Sequence, residues 1–338
     1  MDIEKKLELI KRNTQEIVTE DELRKLLKTK KQPVVYLGTA ITGRPHIGYF
    51  VWALKLGDFL RAGFKVKLLL ADLHGALDNT PWEILEMRYD YYKALIPLMF
   101  EAIGVNTKNL EFVKGSEFQL KPEYMYDVLQ MATHNSINDC QRAAAEVVKF
   151  GDNPKLAGLI YPIMQALDEE YLKVDVQYGG VDQRKIFMFA RENLPVIGYD
   201  ARVEIMTPLI PGLIGKKMSA SDSRSKVDLL DDEKSVIDKI SRVECAEGDV
   251  DNGVLAFLKC VIMPIKQDNK ERFIVKRDKK FGGDLHFNNY AEIEKRFKEK
   301  KLHPLDLKNA LAVEINNLLK GFRKNKAKLE KLSKEAYN

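Results

Sequence analysis

The pattern of apolar and polar residues near the start of the chain predicts a strand, a helix and a second strand. Residues 34–37 form a short apolar run, and residues 65–72 form a continuous one that is typical of a strand covered on both faces. Between them, apolar residues recur at the spacing of one buried helix face, at Ile47, Phe50, Val51 and Leu54. Gly63 stands where this helix should end. These elements predict a βαβ unit and hence a parallel sheet.

The rest of the chain falls into two regions. Residues 1–30 read as one or two polar helices, and apolar runs at 110–113 and 174–178 are candidates for further strands. After about residue 226 the helical period dominates, with apolar faces at Val236, Ile237, Ile240 and Val243 and again at Leu307, Leu311, Ile315 and Leu318. We therefore predict an α/β region over residues 1–230 and an all-α region over residues 231–338.

Composition constrains the function only loosely. The net charge of +5 permits nucleic-acid binding without requiring it. Cys140, Cys245 and Cys260 form no CxxC pair and are interpreted as small buried residues of a protein in a reducing compartment. The polar amino terminus lacks the apolar run of a signal peptide, and no stretch is long enough for a membrane span. We expect a cytoplasmic protein with no membrane segment.

The loop after the first strand carries the first candidate chemistry. Glycines at 38 and 43 let the backbone approach a ligand, and the following helix presents free N–H groups to an anion. His46 can donate hydrogen bonds to phosphate oxygens, and Gly48 leaves room for a flat base. Taken alone, an ordinary strand-to-helix turn with a capping histidine explains this loop equally well.

A second candidate segment is the loop at 215–221, Gly-Lys-Lys-Met-Ser-Ala-Ser. It suits closure over a triphosphate, with Lys217 neutralising charge that develops on the leaving oxygens. On its own, a solvated basic loop is the simpler interpretation. Taken together, residues 46–49 and 217–221 resemble the HIGH and KMSKS signatures of class I aminoacyl-tRNA synthetases, in the order that class requires.

A third set of polar residues shares one face of a predicted helix. Tyr161, Gln165 and Asp168 stand at i, i+4 and i+7, so a phenol, an amide and a carboxylate converge. Gln183 lies in the first turn of a helix that follows a Gly-Gly turn. A polar surface face is the alternative for both helices. The neighbouring apolar runs favour burial beside a pocket for a small polar ligand.

Longer stretches around these residues resemble tyrosyl-tRNA synthetases of the eukaryotic cytosolic and archaeal branch. The resemblance covers essentially the whole chain and is carried by YLGTAITGRPHIGYF, LLADLHGALDN, GSEFQL, YPIMQALDEEYLKVD, YGGVDQRKIF and KMSAS. It implies a Rossmann-like parallel-sheet catalytic domain at 1–230, followed by an all-α anticodon-binding domain at 231–338. It also implies a homodimeric ligase that uses tyrosine, tRNA(Tyr) and ATP with Mg²⁺, without a tightly bound cofactor or a metal held by protein side chains.

The resemblance assigns roles to individual residues of the catalytic domain. Those matching Tyr36 and Asp168 bind the substrate phenol. The ammonium group of tyrosine would be held by Tyr161, Gln165 and Gln183. ATP would be bound by Gly38, His46, Gly48, Tyr49, Lys217 and Met218. Catalysis would rest on His46, Gly48, Lys217, Ser219 and Ser221.

The resemblance also implies contacts with tRNA. Arg184 matches an arginine placed near the first base pair of the acceptor stem. Phe281 and His303 match residues that stack near the anticodon, and Asp306 matches the one that reads its first base. A helix start is an equally sound interpretation of His303 and Asp306, because Pro304 between them suits a first helical turn. His74 and Gln119 are candidate pocket residues, with a structural role as the alternative.

Two positions depart from the general signatures. Tyr49 replaces the final histidine of HIGH, and Ala220 replaces the second lysine of KMSKS, which leaves phosphate neutralisation to Lys217 with Lys216. KMSAS also resembles tryptophanyl-tRNA synthetases, although a tyrosine and an aspartate suit a phenol better than an indole. A catalytically silent RNA-binding relative and an unrelated nucleotidyltransferase are two further candidates, and neither of them needs a complete tyrosine pocket.

Overall fold

The computed structural model describes residues 1–212 and 226–337 and is built around a six-stranded sheet. Its strands are β1 (Glu16–Val18), β2 (Val34–Ala40), β3 (Lys65–Ala71), β4 (Leu110–Lys114), β5 (Val176–Gly180) and β6 (Val203–Thr207). They lie in the order β1-β6-β5-β2-β3-β4, and all neighbours are parallel except β1, which pairs antiparallel with β6. A separate antiparallel pair consists of β7 (Phe273–Val275) and β8 (Leu285–Phe287).

Helices surround this sheet and make up most of the second half of the chain. Those that precede residue 212 are α1 (Ile3–Lys11), α2 (Glu20–Thr29), α3 (Tyr49–Arg61), α4 (Asp72–Leu77), α5 (Leu85–Ala102), α6 (Ser116–Gln119), α7 (Pro122–His134), α8 (Ile137–Ala144), α9 (Ala157–Tyr171) and α10 (Arg184–Asn193). Those that follow residue 226 are α11 (Glu233–Ser241), α12 (Gly253–Phe257), α13 (Met263–Asp268), α14 (Tyr290–Lys298), α15 (Pro304–Leu318), α16 (Lys320–Lys324) and α17 (Lys326–Tyr337).

The predicted βαβ unit is present as β2, α3 and β3. The helix ends at Arg61, and Gly63 adopts a φ of 90°, a left-handed conformation that glycine reaches at little cost. The runs at 110–113 and 174–178 correspond to β4 and β5. The strands β1 and β6 were not predicted, since β1 has three residues and β6 carries a charged residue, Glu204, within its buried pattern.

The second region is mainly helical, but it also contains the β7–β8 pair, so it is not all-α. Each of these strands has only three residues, which is too short for a period-two pattern to register. This region packs on the first. The ring of Phe322 meets that of Phe50 edge-on at 6.3 Å between centroids, and α17 lies against α5. The two regions therefore share one apolar core.

The cysteines and the helices bear on two further expectations. Cys140 and Cys260 are buried as predicted, whereas Cys245 is half-buried because it lies in the loop after α11. All three are free thiols. In residues 1–212 and 226–337, no helix combines the length and the apolar character needed to cross a bilayer.

Candidate active site

A cavity of about 460 Å³ opens at the carboxyl ends of β2 and β5, where ligands bind in open parallel sheets. All five residues predicted to bind the amino acid line it, namely Tyr36, Tyr161, Gln165, Asp168 and Gln183. Four residues predicted to bind ATP line it as well, namely Gly38, His46, Gly48 and Tyr49. Lys217, Met218, Ser219 and Ser221 lie outside the described residues.

Asp168 forms one wall at the deep end of the cavity. Its side chain is 1% exposed, and its Oδ1 accepts hydrogen bonds from Gln119 Nε2 at 2.7 Å and from the Tyr124 hydroxyl at 2.9 Å. Burial raises the pKa of this carboxyl to about 8, while the two hydrogen bonds act in the opposite direction. The carboxyl is thus held in place with one oxygen, Oδ2, left for a further contact.

Tyr36 forms the facing wall. Its hydroxyl accepts a hydrogen bond from Gln177 Nε2 at 2.5 Å and donates to the backbone carbonyl of Gln165 at 3.2 Å. Burial raises the pKa of this phenol well above its usual range, and the charge of Asp168 adds to the effect. The two groups therefore belong to one buried polar site, as the sequence predicted.

His74 closes the same end of the cavity. Its ring meets that of Tyr161 edge-on at 4.6 Å between centroids, and its Nε2 lies 4.0 Å from Asp168 Oδ2. Burial lowers the pKa of His74 to about 4, so the ring is neutral at physiological pH. Gln119 does not line the cavity. It is fully buried behind the cavity wall, where its Nε2 donates to Asp168 Oδ1 and lies 3.4 Å from His74 Nδ1.

The opposite side of the amino-acid pocket is rich in carbonyl and carboxylate oxygens. Gln165 Nε2 donates to Gln183 Oε1 at 3.1 Å, which fixes both amides. Asp78 and Asp182 also line the cavity, and both charges raise the pKa of Tyr161 in addition to burial. Acceptors and negative charge suit an ammonium group. Sequence reasoning missed both aspartates.

The turn before α3 forms the other end of the cavity. His46 Nδ1 accepts a hydrogen bond from the Gly48 N–H at 3.2 Å, so the neutral ring carries its proton on Nε2. Burial, together with the charge of Lys226, lowers the pKa of His46 to about 4. His46 is therefore a neutral hydrogen-bond donor that can bind phosphate oxygens without adding charge.

The segment after the predicted 215–221 loop is attached to this turn. The Ile47 N–H donates to the Val227 carbonyl at 3.1 Å, and His46 pairs with Asp228 in an antiparallel bridge. The side chain of Arg44 approaches Asp228, with Nε 3.2 Å from Oδ2. Val227 and Asp228 are thereby held beside the turn that carries His46.

Two residues that form hydrogen bonds with the lining of the amino-acid pocket were not predicted at all. Tyr124, in α7, bonds to Asp168 across 44 residues of sequence, and no local pattern reveals such a contact. Gln177 interrupts an apolar strand run, and that interruption is the signal that could have identified it. It is 2% exposed and bonds directly to Tyr36.

Similarity to known proteins agrees with this geometry. A family model described as tRNA synthetases class I (W and Y) matches residues 28–320. The tyrosine–tRNA ligase of Haloarcula marismortui is 44% identical over 340 residues, which cover 100% of this chain and 98% of that relative. The chain belongs to the class I tyrosyl-tRNA synthetase family.

One further relative is longer than this chain, and the crystal structure of another has been solved. The cytoplasmic tyrosine–tRNA ligase of Danio rerio is 47% identical over 99% of this chain, which spans only 63% of that relative. The crystal structure of the tyrosyl-tRNA synthetase of Archaeoglobus fulgidus, complexed with L-tyrosine, matches with a TM-score of 0.89 and 42% identity over 96% of this chain and 99% of that one. The predicted α/β fold is confirmed.

The residues predicted to contact tRNA lie on the surface, away from the cavity lining. Arg184 is exposed and binds Glu16 through two hydrogen bonds of 2.8 and 2.9 Å. Phe281 is 63% exposed in the loop between β7 and β8, with Lys280 Nζ 5.0 Å from the centre of its ring. His303 caps α15 by accepting from the Leu305 N–H at 3.1 Å.

Asp306 lies in the first turn of the same helix, α15, and is half-buried. The helix-start interpretation of His303 and Asp306 is therefore correct. This role is compatible with a tRNA contact, because His303 caps the helix through Nδ1 and its side chain is exposed. Within the described residues, no group of three or more His, Cys, Asp or Glu side chains could hold a metal ion.

Proposed function

We propose that the protein is a tyrosine–tRNA ligase. It activates L-tyrosine with ATP to give tyrosyl-adenylate and pyrophosphate, and it then transfers tyrosine to the terminal adenosine of tRNA(Tyr). The observation that carries this proposal is the pairing of Tyr36 and Asp168 in one buried site at the end of a cavity. Relatives named tyrosine–tRNA ligase support it.

The paired groups recognise the hydroxyl that distinguishes tyrosine from phenylalanine. The substrate phenol donates to Asp168 Oδ2 and accepts from Tyr36. When phenylalanine enters instead, Asp168 Oδ2 is left without a partner, and an unpaired buried polar group costs about 1–3 kcal/mol. Tyr36 then keeps only its 3.2 Å hydrogen bond to the Gln165 carbonyl as a donor. The neutral ring of His74 closes the wall beside them. The pocket thus rejects phenylalanine through lost hydrogen bonds, without needing a steric barrier.

The opposite oxygens orient the reacting end of tyrosine. Tyr161, Gln165 and Gln183 hold the ammonium group, with Asp78 and Asp182 adding negative charge nearby. The tyrosine carboxylate then points toward the ATP end of the cavity. One of its oxygens attacks the α-phosphorus in line, and the bond to pyrophosphate breaks. The protein contributes positioning and charge stabilisation, and no covalent bond to the enzyme forms.

The ATP end supplies hydrogen-bond donors. His46 donates through Nε2–H to a phosphate oxygen, and Gly38 and Gly48 allow the nucleotide to lie close to the backbone. ATP enters as its Mg²⁺ complex. We expect Lys217 to neutralise charge on the departing pyrophosphate, and Ser219 and Ser221 from the same segment to donate hydrogen bonds to its oxygens. Lys217→Ala should lower the rate of activation more than the affinity for tyrosine.

For the second step, we propose that tRNA contacts Arg184 at the acceptor stem and Phe281, His303 and Asp306 at the anticodon. The exposed ring of Phe281 can stack on an unpaired base, and the Asp306 carboxylate can accept from a guanine. The 2′-hydroxyl of the terminal adenosine then attacks the carbonyl carbon of the adenylate. The ester forms and AMP leaves.

We propose that the protein acts as a homodimer, in the cytoplasm. Large apolar side chains are exposed along α7 and α8, with Tyr126 at 68%, Leu129 at 66% and Ile137 at 69%. Exposed apolar side chains on two successive helices suit a surface that a second copy of the chain covers. Light scattering should give twice the chain mass, and Leu129→Lys should reduce it to one chain. The cytoplasmic assignment rests on the names of the vertebrate relatives.

The decisive experiment is amino-acid-dependent exchange between pyrophosphate and ATP, measured with all twenty amino acids. Exchange with tyrosine alone is expected, and Asp168→Ala should abolish either the activity or the preference over phenylalanine. Exchange with tryptophan would instead identify a tryptophanyl enzyme. RNA binding without any exchange would identify a silent relative. If Asp168→Ala kept the preference intact, the site assignment would be wrong.

A further inference from the structure

A row of polar side chains crosses the central sheet behind the amino-acid pocket. Tyr36 on β2 is in register with Gln177 on β5, and Gln177 is in register with Glu204 on β6. In-register neighbours project from the same face of a parallel sheet. All three side chains are buried, at 1%, 2% and 0% exposed. Strands that are covered on both faces normally carry apolar side chains at their buried positions, so these three buried polar side chains require an explanation.

The hydrogen bonds of the row are incomplete in a specific way. Gln177 uses its Nε2 to donate to Tyr36. Its Oε1 receives no hydrogen bond from the described residues, and neither do the two oxygens of Glu204. Buried polar atoms of this kind are nearly always paired. A single proton on the Glu204 carboxyl would pair the two neighbours, because it turns one of two adjacent acceptors into a donor.

The surroundings of Glu204 favour that protonated form. Burial raises the pKa of its carboxyl well above the usual range, and the charges of Glu169 and Glu22 raise it further. Arg191 and Arg202 act in the opposite direction, but the terminal nitrogens of both guanidinium groups bind other residues, and Arg202 Nε is buried without a hydrogen-bond partner among the described residues. Arg191 binds Glu22 at 3.0 Å, and Arg202 donates to Glu170 at 2.5 Å.

We propose that Glu204 is a positioning residue for tyrosine selection, which donates its carboxyl proton to Gln177 Oε1 and so fixes the amide with Nε2 toward Tyr36. The oxygen of Tyr36 is then occupied as an acceptor, and its own proton can only be donated. In the empty pocket that proton goes to the Gln165 carbonyl over a long 3.2 Å, and a substrate phenol can take it over. This inference rests on the proposed function, since it concerns the same amino-acid pocket.

The opposite orientation of the Gln177 amide would change which way the Tyr36 hydroxyl donates its proton. If Gln177 were turned so that Oε1 faced Tyr36, the Tyr36 hydroxyl would donate to that oxygen. Its proton would then be directed away from the pocket, and the substrate phenol would lose a donor. An ionised Glu204 would favour this reversed state, because a carboxylate attracts the amide N–H groups. The protonated acid therefore selects the orientation that reads the substrate hydroxyl.

The test compares two replacements of Glu204, one that can donate a hydrogen bond to Gln177 and one that cannot. Glu204→Gln keeps a donor for Gln177, whereas Glu204→Met keeps the length and apolar volume but has none. The measured quantity is the ratio of kcat/KM for tyrosine over phenylalanine in pyrophosphate exchange. We expect Glu204→Gln to retain that ratio within about twofold and Glu204→Met to lower it about tenfold, the size expected for one buried hydrogen bond. Equal ratios in all three proteins would overturn the proposal.

A double-mutant cycle separates positioning from general damage. Because Glu204 acts through the Tyr36 hydroxyl, Glu204→Met should change the ratio little further in a Tyr36→Phe background. Asp58→Asn is the control, since Asp58 is a buried acid of α3 that binds Arg12 and does not belong to the row. It should reduce stability and leave the ratio unchanged. A similar loss of selectivity in Asp58→Asn would overturn the proposal.

Two further measurements keep the outcome unambiguous. Thermal unfolding identifies variants that fail to fold, and Glu204→Leu serves as a second apolar replacement if the methionine variant does not fold. The unmodified protein is assayed in parallel. Absence of tyrosine-dependent exchange in that protein would defeat the proposed function itself. Normal exchange together with unchanged selectivity in both apolar variants would defeat only the role of Glu204.

Discussion

The hydroxyl of Tyr337 in α17 donates a hydrogen bond of 2.9 Å to the backbone carbonyl of Gly43, 294 residues earlier in the chain. Tyr92 in α5 donates to the same carbonyl at 2.5 Å. Arg88 adds a hydrogen bond to the Ile41 carbonyl at 3.2 Å, and its guanidinium lies 4.8 Å from the centre of the Tyr337 ring. The loop before His46 is thus held by helices from both regions of the molecule.

This contact predicts that α17 influences ATP binding. Tyr337→Phe removes one of two donors to Gly43, and the remaining donor from Tyr92 keeps the carbonyl paired. We therefore expect a modest rise in KM for ATP, about two- to fivefold, from a loss at the low end of the range for one hydrogen bond. The affinity for tyrosine should not change, because the loop lies at the other end of the cavity. Pyrophosphate exchange at varied ATP and varied tyrosine measures both.

The paired variant sharpens this prediction. Tyr92→Phe together with Tyr337→Phe leaves the Gly43 carbonyl without either donor, so the rise in KM for ATP should exceed the product of the two single effects. A change of tyrosine affinity in Tyr337→Phe would mean that α17 acts on the whole cavity rather than on this loop.

A second prediction concerns the proton that Asp168 should release when tyrosine binds. In the empty pocket, burial raises the pKa of Asp168 to about 8, so the carboxyl is mostly protonated near pH 7. A substrate phenol that donates to Asp168 favours the ionised form and lowers this pKa. Tyrosine binding should therefore release a proton near pH 7. Calorimetric titration in buffers of different ionisation enthalpy measures that release directly.

Two comparisons test whether Asp168 is the source of the proton. Binding of phenylalanine should release far less, since it offers no hydroxyl. Asp168→Asn cannot ionise, so any tyrosine that still binds should do so without proton release. Equal release in the wild-type protein and in Asp168→Asn would assign the proton to another group.

The sequence predicted the parts of the site that short-range patterns encode. The face shared by Tyr161, Gln165 and Asp168 follows from helical spacing alone. The strand β2 follows from an apolar run, and the glycines after that run mark the loop. What it missed depends on contacts between distant segments. Tyr124 reaches Asp168 from another helix, and Glu204 is a charged residue inside a buried strand. Hydrophobic patterning treats such a residue as a break, although here it belongs to the sheet.

A third prediction concerns Arg184 at the surface. Its two hydrogen bonds to Glu16 fix the guanidinium without burying it, so the side chain remains accessible to a phosphate or a base edge. Arg184→Ala should raise KM for tRNA in the aminoacylation assay about tenfold, as expected when a hydrogen bond to a charged group is lost. Pyrophosphate exchange needs no tRNA and should keep its normal rate. Reduced exchange would show that the substitution disturbs the catalytic cavity instead.

The last prediction follows from the buried acids beside the pocket. Burial raises the pKa of Glu169 to about 8 in the folded protein, from an ordinary value of 4.5. Between these two values the folded state retains a proton that the unfolded chain has lost. The contribution of Glu169 to stability is therefore fully present below about pH 4.5, falls as the pH rises through this window and is lost above about pH 8. Asp168 and Glu204 contribute with the same sign, because burial raises their pKa values as well.

Glu169→Gln isolates one of these contributions. Glutamine cannot ionise, so the decline in the free energy of unfolding between pH 5 and pH 8 should be shallower than in the wild-type protein. Urea unfolding at a series of pH values gives that slope. Glu8→Gln removes an exposed carboxyl in α1 and should leave the slope as it was. An unchanged slope in Glu169→Gln would mean that this acid is already ionised in the folded protein, held in that state by Arg191 and Arg202.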